Sequence, residues 1–354
     1  MRTKLLLLVI FAFSSLCLFP NMAQEPATVV LIDGLNSPRG ISYSPDGTLY
    51  VVESGIGGDL SVLGPFDGPV LFGFTGRVLA WQNGELTPVV DYLPSAQVES
   101  APGAPIEVLG TMDAEVAGDE LWLLTGHILP NIQQSALAIG LDSTTYRTKY
   151  VLDLYAYELA NETDSTGEYL SNPTDIEFFP ESKIALIADT GANVIFRKGD
   201  DGSFTVLHVW ADNPVPAGID ISDDGSTYAI GFLSGYPFTV GAGHVELYNA
   251  DNNELLVSYG NLTTVTDVLI EPNGTILVVQ YATFDIDLGG WQPNTGSLVA
   301  IAPDGTVSTV LSNLNFPYSI AKNPTNGSYA MSVNVVGEFG TGQVIGFSLT
   351  TPTE

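Results

Sequence analysis

Few residues in this chain have side chains suited to chemistry, and their positions repeat. Arg39, Asp113, Asp175 and Asp267 each stand at the start of an apolar segment, and Glu53 and Asp189 each close one. Carboxylates gathered at one point bind a hard cation such as Ca²⁺ through oxygen ligands. Arg39 among them either neutralises its neighbours or serves a ligand. Against a metal, no Asp-x-Asp-x-Asp-Gly spacing is present, and Asp at turns commonly caps its own backbone. A nucleophilic triad is poorly supplied. His127, His208 and His244 are the three histidines, and no Gly-x-Ser-x-Gly elbow occurs. His208 alternates with Val206 and Trp210, which predicts a structural or surface role. His127 remains as a candidate base. The single cysteine, Cys17, lies near the N-terminus.

Whether these groups meet depends on the elements that carry them. One unit recurs along the chain and is clearest from Asn172 to Val209: four short apolar strands joined by turns at Pro180, Asp189–Asn193 and Asp201-Gly202. Four strands joined this way form one blade of a β-propeller. The inner half of the unit aligns six times, beginning near Asn36, Gly110, Asn172, Val215, Val265 and Asn315. The Gly110 copy is the most degraded. Asp-Gly or Asn-Gly at 46, 224, 273 and 326 separates first from second strands, and at 83, 201 and 304 third from fourth. Such dipeptides supply the positive φ of two-residue hairpins. The sixth unit lacks a fourth strand, and Thr28 to Ile32 precedes the first. The expectation is an all-β, six-bladed β-propeller whose N-terminal strand joins the last blade and closes the ring. Pro94 to Pro105 and Tyr155 to Tyr169 are expected as blade connections, with one or two helical turns near Leu154.

Composition agrees. The 354 residues are 45% hydrophobic and 14% charged, with 37 Gly and 22 Pro, a profile of many strands and turns. Residues 1–24 stand apart: Arg2 and Lys4, an apolar run from Leu5 to Leu18, then Asn21-Met-Ala-Gln. This is the pattern of a secretory signal peptide, so residues 25–354 are expected as a single exported, secreted or periplasmic domain with no membrane span after cleavage. Without Cys17 that domain has no disulfide and no thiol. Losing Arg2 and Lys4 leaves 8 of the 10 basic residues facing 40 acidic ones. Nucleic acid is excluded as a partner, and the charge suits a soluble monomer. Four Asn-x-Ser/Thr sites, at 161, 261, 273 and 326, match the glycosylation pattern.

Gly34-Leu-Asn-Ser-Pro-Arg-Gly40 with Pro45-Asp-Gly-Thr-Leu-Tyr-Val51, and Gly73-Phe-Thr-Gly-Arg-Val78, resemble the opening of ScyD/ScyE-type secreted proteins. Gly235-Tyr-Pro-Phe-Thr-Val-Gly-Ala-Gly243 resembles that family's blade-four loop, and Asp189-Thr-Gly-Ala-Asn193 the loop of the wider NHL-repeat group. The resemblance spans residues 29–349. It implies a six-bladed exported propeller, in a family partly associated with scytonemin gene clusters and without a settled activity. It carries over no catalytic residue. In the related gluconolactonase-like propellers a channel metal serves hydrolysis, which makes a calcium-dependent lactonase the enzyme alternative.

In a propeller the start of strand one and the loop from strand two to three share a face. The insertions Gly55–Phe74, His127–Gln134, Leu233–Gly243 and Ala282–Thr295 therefore crowd together, carrying Phe66, Phe72, Phe74, Tyr236, Phe238, Phe284 and Trp291. The expectation is a binding or scaffold module for a small molecule or extracellular partner, without catalysis, its site marked by Arg39, Tyr236, Phe238 and Trp291. Asp113, Asp175 and Asp267 are the ligand set if the chain binds calcium. Otherwise no cofactor is expected.

Overall fold

The computed structural model describes residues 25–64, 68–98, 105–128, 136–161, 163 and 170–349. The expected leader, Phe66 and most of the loop at 127–134 lie outside them. Six antiparallel sheets form the blades of one ring. Their inner strands are Pro38–Tyr43, Thr111–Ala117, Pro173–Phe178, Pro216–Ile221, Val265–Ile270 and Ile320–Lys322, each packed against the next. Sheets covered on both faces select continuous apolar strands over alternating ones. Leu49–Glu53 and Ala185–Asp189 are accordingly buried at every position. Val29–Leu35 is the outer strand of the sixth blade, antiparallel to Gly342–Phe347, so the N-terminal strand closes the ring.

Two local expectations need correction. Most Asp-Gly and Asn-Gly turns are not two-residue hairpins. Only at Asn83-Gly84 do both residues take positive φ, 53° and 83°. Elsewhere Gly alone does, as at Gly47, and Ser44 N–H bonds Thr48 C=O across a three-residue loop. The Asp or Asn then caps the chain two residues on: Asp46 Oδ1 accepts Thr48 N–H at 3.0 Å, and Asp304 Oδ1 accepts Thr306 N–H at 2.9 Å. The stretch after Pro94 is also strand as far as Val98. Blade one's outer hairpin, Pro69–Gln82 and Glu85–Val98, runs well beyond the blade. Pro94 falls at a register shift between paired Leu93 and Ser95, where its missing N–H breaks no ladder bond. The expected helical turns form Leu154–Asn161, with Asp153 Oδ1 accepting Ala156 N–H at 2.8 Å as its N-terminal cap. Among the described residues no helix is long and apolar enough to cross a membrane.

Blade spacing near the axis depends on two glycines. A Cβ at Gly218 would lie 2.6 Å from Asp267 Cα and 2.7 Å from the Thr266 carbonyl oxygen; one at Gly40 would lie 2.9 Å from Asp113 Cα. Backbone cannot yield as a side chain can. Gly218→Ala is therefore expected to destabilise the fold by roughly 1–3 kcal/mol, read as a lower urea midpoint at unchanged m-value. An unchanged midpoint would show that the fourth and fifth blades are not packed this closely.

Candidate functional site

The axis holds two chambers because the inner strands are bulged. In five of them the register shifts between the first strand residue and the third or fourth: after Pro38, Thr111, Pro173, Pro216 and Val265. A bulge re-aims the side chain it carries. Second residues of the first five inner strands, Arg39, Met112, Thr174, Ala217 and Thr266, together with Tyr318 just before the sixth, line one cavity of about 380 Å³ on the long-loop face. Third and fifth residues, Asp113, Glu115, Asp175, Glu177, Asp220 and Asp267, line a second cavity of about 550 Å³ towards the opposite face. The sequence placed Arg39 at one level with the three aspartates. It stands one position earlier, Gly40 being the counterpart of Asp113, and so it reaches the other chamber.

In the lower chamber the aspartates bind blade to blade. Asp113 Oδ2 accepts Ile176 N–H at 3.2 Å, Asp175 Oδ2 accepts Ile219 N–H at 2.5 Å, and Asp267 Oδ2 accepts Ile320 N–H at 2.8 Å. Each acceptor belongs to one blade and each donor to the next. Asp220 does the same for Ile270 N–H, and Ser319 Oγ accepts Ile41 N–H at 3.2 Å across the seam between the last and first blades. Burial disfavours the charged form of every one of these acids. It pushes Asp113 up to about 6 and Asp267 up to about 7. Asp175, Glu115, Glu177 and Asp220 are raised well above the carboxylate range, by burial first and then by their acidic neighbours. Among the described residues no three His, Cys, Asp or Glu side chains converge on a point that could hold a metal ion. Glu115 and Glu177 were missed in the sequence, although each lies two residues beyond an aspartate on the same strand face.

The upper chamber has a different character. Tyr236, Phe238 and Trp291 line it together with Arg39, so all four residues picked from sequence meet there. Tyr281 and Tyr318, not foreseen, complete the wall. Phe238 lies 4.8 Å from Trp291 and 5.5 Å from Phe284 between ring centroids, and Trp291 lies 5.1 Å from Tyr281. These contacts join the loop of the fourth blade to the small hairpin Phe284–Asp285 and Gly290–Trp291 of the fifth. Gly235 lets the first loop close over the chamber: a Cβ there would lie 2.7 Å from the Asn213 carbonyl oxygen. The aromatic residues therefore pack the loops and line a cavity at once.

Glu53 and Asp189 take no part in either chamber. Glu53 Oε1 accepts Asn36 N–H at 2.5 Å and its other oxygen pairs with Arg77. Asp189 Oδ1 accepts Asn172 N–H at 2.6 Å and also the amides of Gly191 and Ala192, so it caps its own loop. Burial raises its carboxyl to about 6. His208 bonds Tyr228 through Nε2 at 2.6 Å within an aromatic cluster, and His244 stacks 4.2 Å from Phe232. His127 lines the upper chamber, buried, its backbone amide held by Asn172 Oδ1 at 2.8 Å.

No family model and no curated protein matches the chain. Solved structures do. A gluconolactonase from Xanthomonas campestris superposes with a TM-score of 0.57 at 11% identity, over 91% of this chain and 89% of that one. At this identity the likeness is one of fold.

Proposed function

We propose that the chain is an exported binding module of the ScyD/ScyE type that its motifs resemble, holding a small molecule on the long-loop face. The observation that carries this reading is the meeting of Arg39, Tyr236, Phe238 and Trp291 around one cavity of about 380 Å³. Ligand sites typically occupy about 300–1,000 Å³ and combine apolar walls with a few directed polar groups. The acidic composition favours a small molecule or an extracellular protein over nucleic acid, and ring closure supports a monomer.

The gluconolactonase likeness favours a second reading, a calcium-dependent lactonase-like hydrolase at the channel. Two features weigh against it. The aspartates already accept backbone amides from neighbouring blades. A guanidinium in the long-loop chamber repels a divalent cation there. One experiment separates the readings. Naphthalene derivatives are titrated by calorimetry into the purified protein, and lactone turnover is measured with calcium and with chelator. The expected result is saturable binding, weakened on the order of tenfold in Trp291→Ala, and no turnover. Chelator-sensitive lactone hydrolysis would replace the binding reading with the enzyme reading.

A further inference from the structure

Arg39 is 5% exposed. Buried cations are normally paired, since an uncompensated charge in a low dielectric is costly. Among the described ion pairs none includes Arg39. Its Nη2 donates to the Val108 carbonyl at 3.0 Å, its Cζ lies 5.4 Å from the Tyr318 ring centroid, and its Nε has no partner. Glu107, the acid of the same chamber, is not within ion-pair distance. Tyr281 and Tyr318 cannot supply an anion at neutral pH, because burial raises both hydroxyls far above their ordinary value. Thr266, which lines the same chamber from the fifth blade, is 7% exposed, and its Oγ1 likewise has no partner. Two buried polar groups thus line an aromatic cavity with hydrogen-bonding capacity unused.

We infer that the chamber selects a flat aromatic molecule carrying an anionic group, a carboxylate or sulfonate, with the anion on Arg39 and Thr266 and the rings against Phe238 and Trp291. This deepens the binding-module reading and rests on it. A guanidinium offers an anion charge-assisted hydrogen bonds, the strong kind. The cation–π contact with Tyr318 offsets part of its burial cost in the empty protein. The chain's net charge of −30 repels anions at long range. At physiological salt that repulsion fades beyond about 8 Å, and the local guanidinium dominates.

The test uses the full protein at physiological salt and two matched probes, 1-naphthoate and its neutral amide, each titrated by calorimetry. The proposal expects naphthoate to bind about tenfold or more tightly than the amide. Arg39→Met should remove that preference while leaving amide binding in place, and Trp291→Ala should weaken both probes. If Arg39→Met does not fold, Arg39→Lys serves, with the preference reduced but retained. Equal affinity of both probes for the unaltered protein, still lost in Trp291→Ala, overturns anion selection and leaves the binding site standing. If neither probe binds, both readings fall.

Discussion

Deleting residues 25–35 is expected to abolish the cooperative unfolding transition. Val29–Leu35 supplies the outer strand of the sixth blade, hydrogen-bonded along Gly342–Phe347. Its Ile32 and Leu35 are 5% and 1% exposed. They pack in one cluster with Ile41, Leu49 and Leu79 of the first blade and Ala330 and Val344 of the sixth. The strand therefore joins the two blades at which the chain begins and ends the ring. Burying each of these side chains is worth about 1.5–3 kcal/mol, and each strand hydrogen bond about 1 kcal/mol. Their sum is comparable with the roughly 5–15 kcal/mol by which a domain is stable. Cys17 lies in the expected leader, so no disulfide ties the remaining chain. Calorimetry should show a sharp endotherm for residues 25–354 and a broad, weak one for residues 36–354. Leu35→Ala, which keeps the ladder, should cost about 2–5 kcal/mol and remain cooperative. A truncated chain that melts as sharply and as high as the longer one would show that the ring does not depend on this strand.

That closure was legible because its signal is local: an apolar run before the first repeat and a missing strand after the last. The blades were legible for the same reason, each carrying its own turn residues and apolar runs. The site was legible only in part. Tyr236, Phe238 and Trp291 sit in insertions, and insertions between second and third strands share a face whatever their sequence. The level of a side chain on the axis is another matter. Arg39 and Asp113 look alike at a strand start, yet a bulge separates them by one residue and by one chamber. A single sequence marks such a bulge only indirectly, because it is set by how neighbouring inner strands dock. Glycine was the available hint: Gly40 and Gly218 stand where other blades place Asp113, Asp175 and Asp267. They are absent as side chains because the neighbouring backbone fills the space.

The lower chamber should make the protein more stable at pH 5 than at pH 8. Six carboxyls of this chamber are raised in the folded state, Asp113, Glu115, Asp175, Glu177, Asp220 and Asp267, and Asp189 outside it is a seventh. A group with a raised folded pKa binds its proton more tightly in the native state. Its contribution is complete below the unfolded value, 3.8 for Asp, and is lost as pH rises through the folded value, about 6 for Asp113 and about 7 for Asp267. The window is therefore about pH 4 to 7, with stability falling as pH rises. Two opposing sets are weaker there. Turn aspartates such as Asp46 and Asp304 are lowered by their own hydrogen bonds and act only below 3.8. His208 and His244 are held down by burial and act below 6.5, but they are two against seven. Melting temperature should fall on the order of 10 °C from pH 5 to pH 8. Asp175→Asn isolates the cause. The amide copies a protonated carboxyl: its oxygen can still accept Ile219 N–H, its NH₂ can donate to Asp113, and one buried charge is removed. The variant should melt about 3–6 °C higher at pH 8 and show a shallower pH dependence. Asp175→Ala should melt lower than the native chain at pH 5, because it leaves that amide without an acceptor. A melting temperature that stays flat or rises between pH 5 and 8, or an Asp175→Asn variant less stable at pH 8, would mean that the channel carboxyls are charged and compensated in the folded protein.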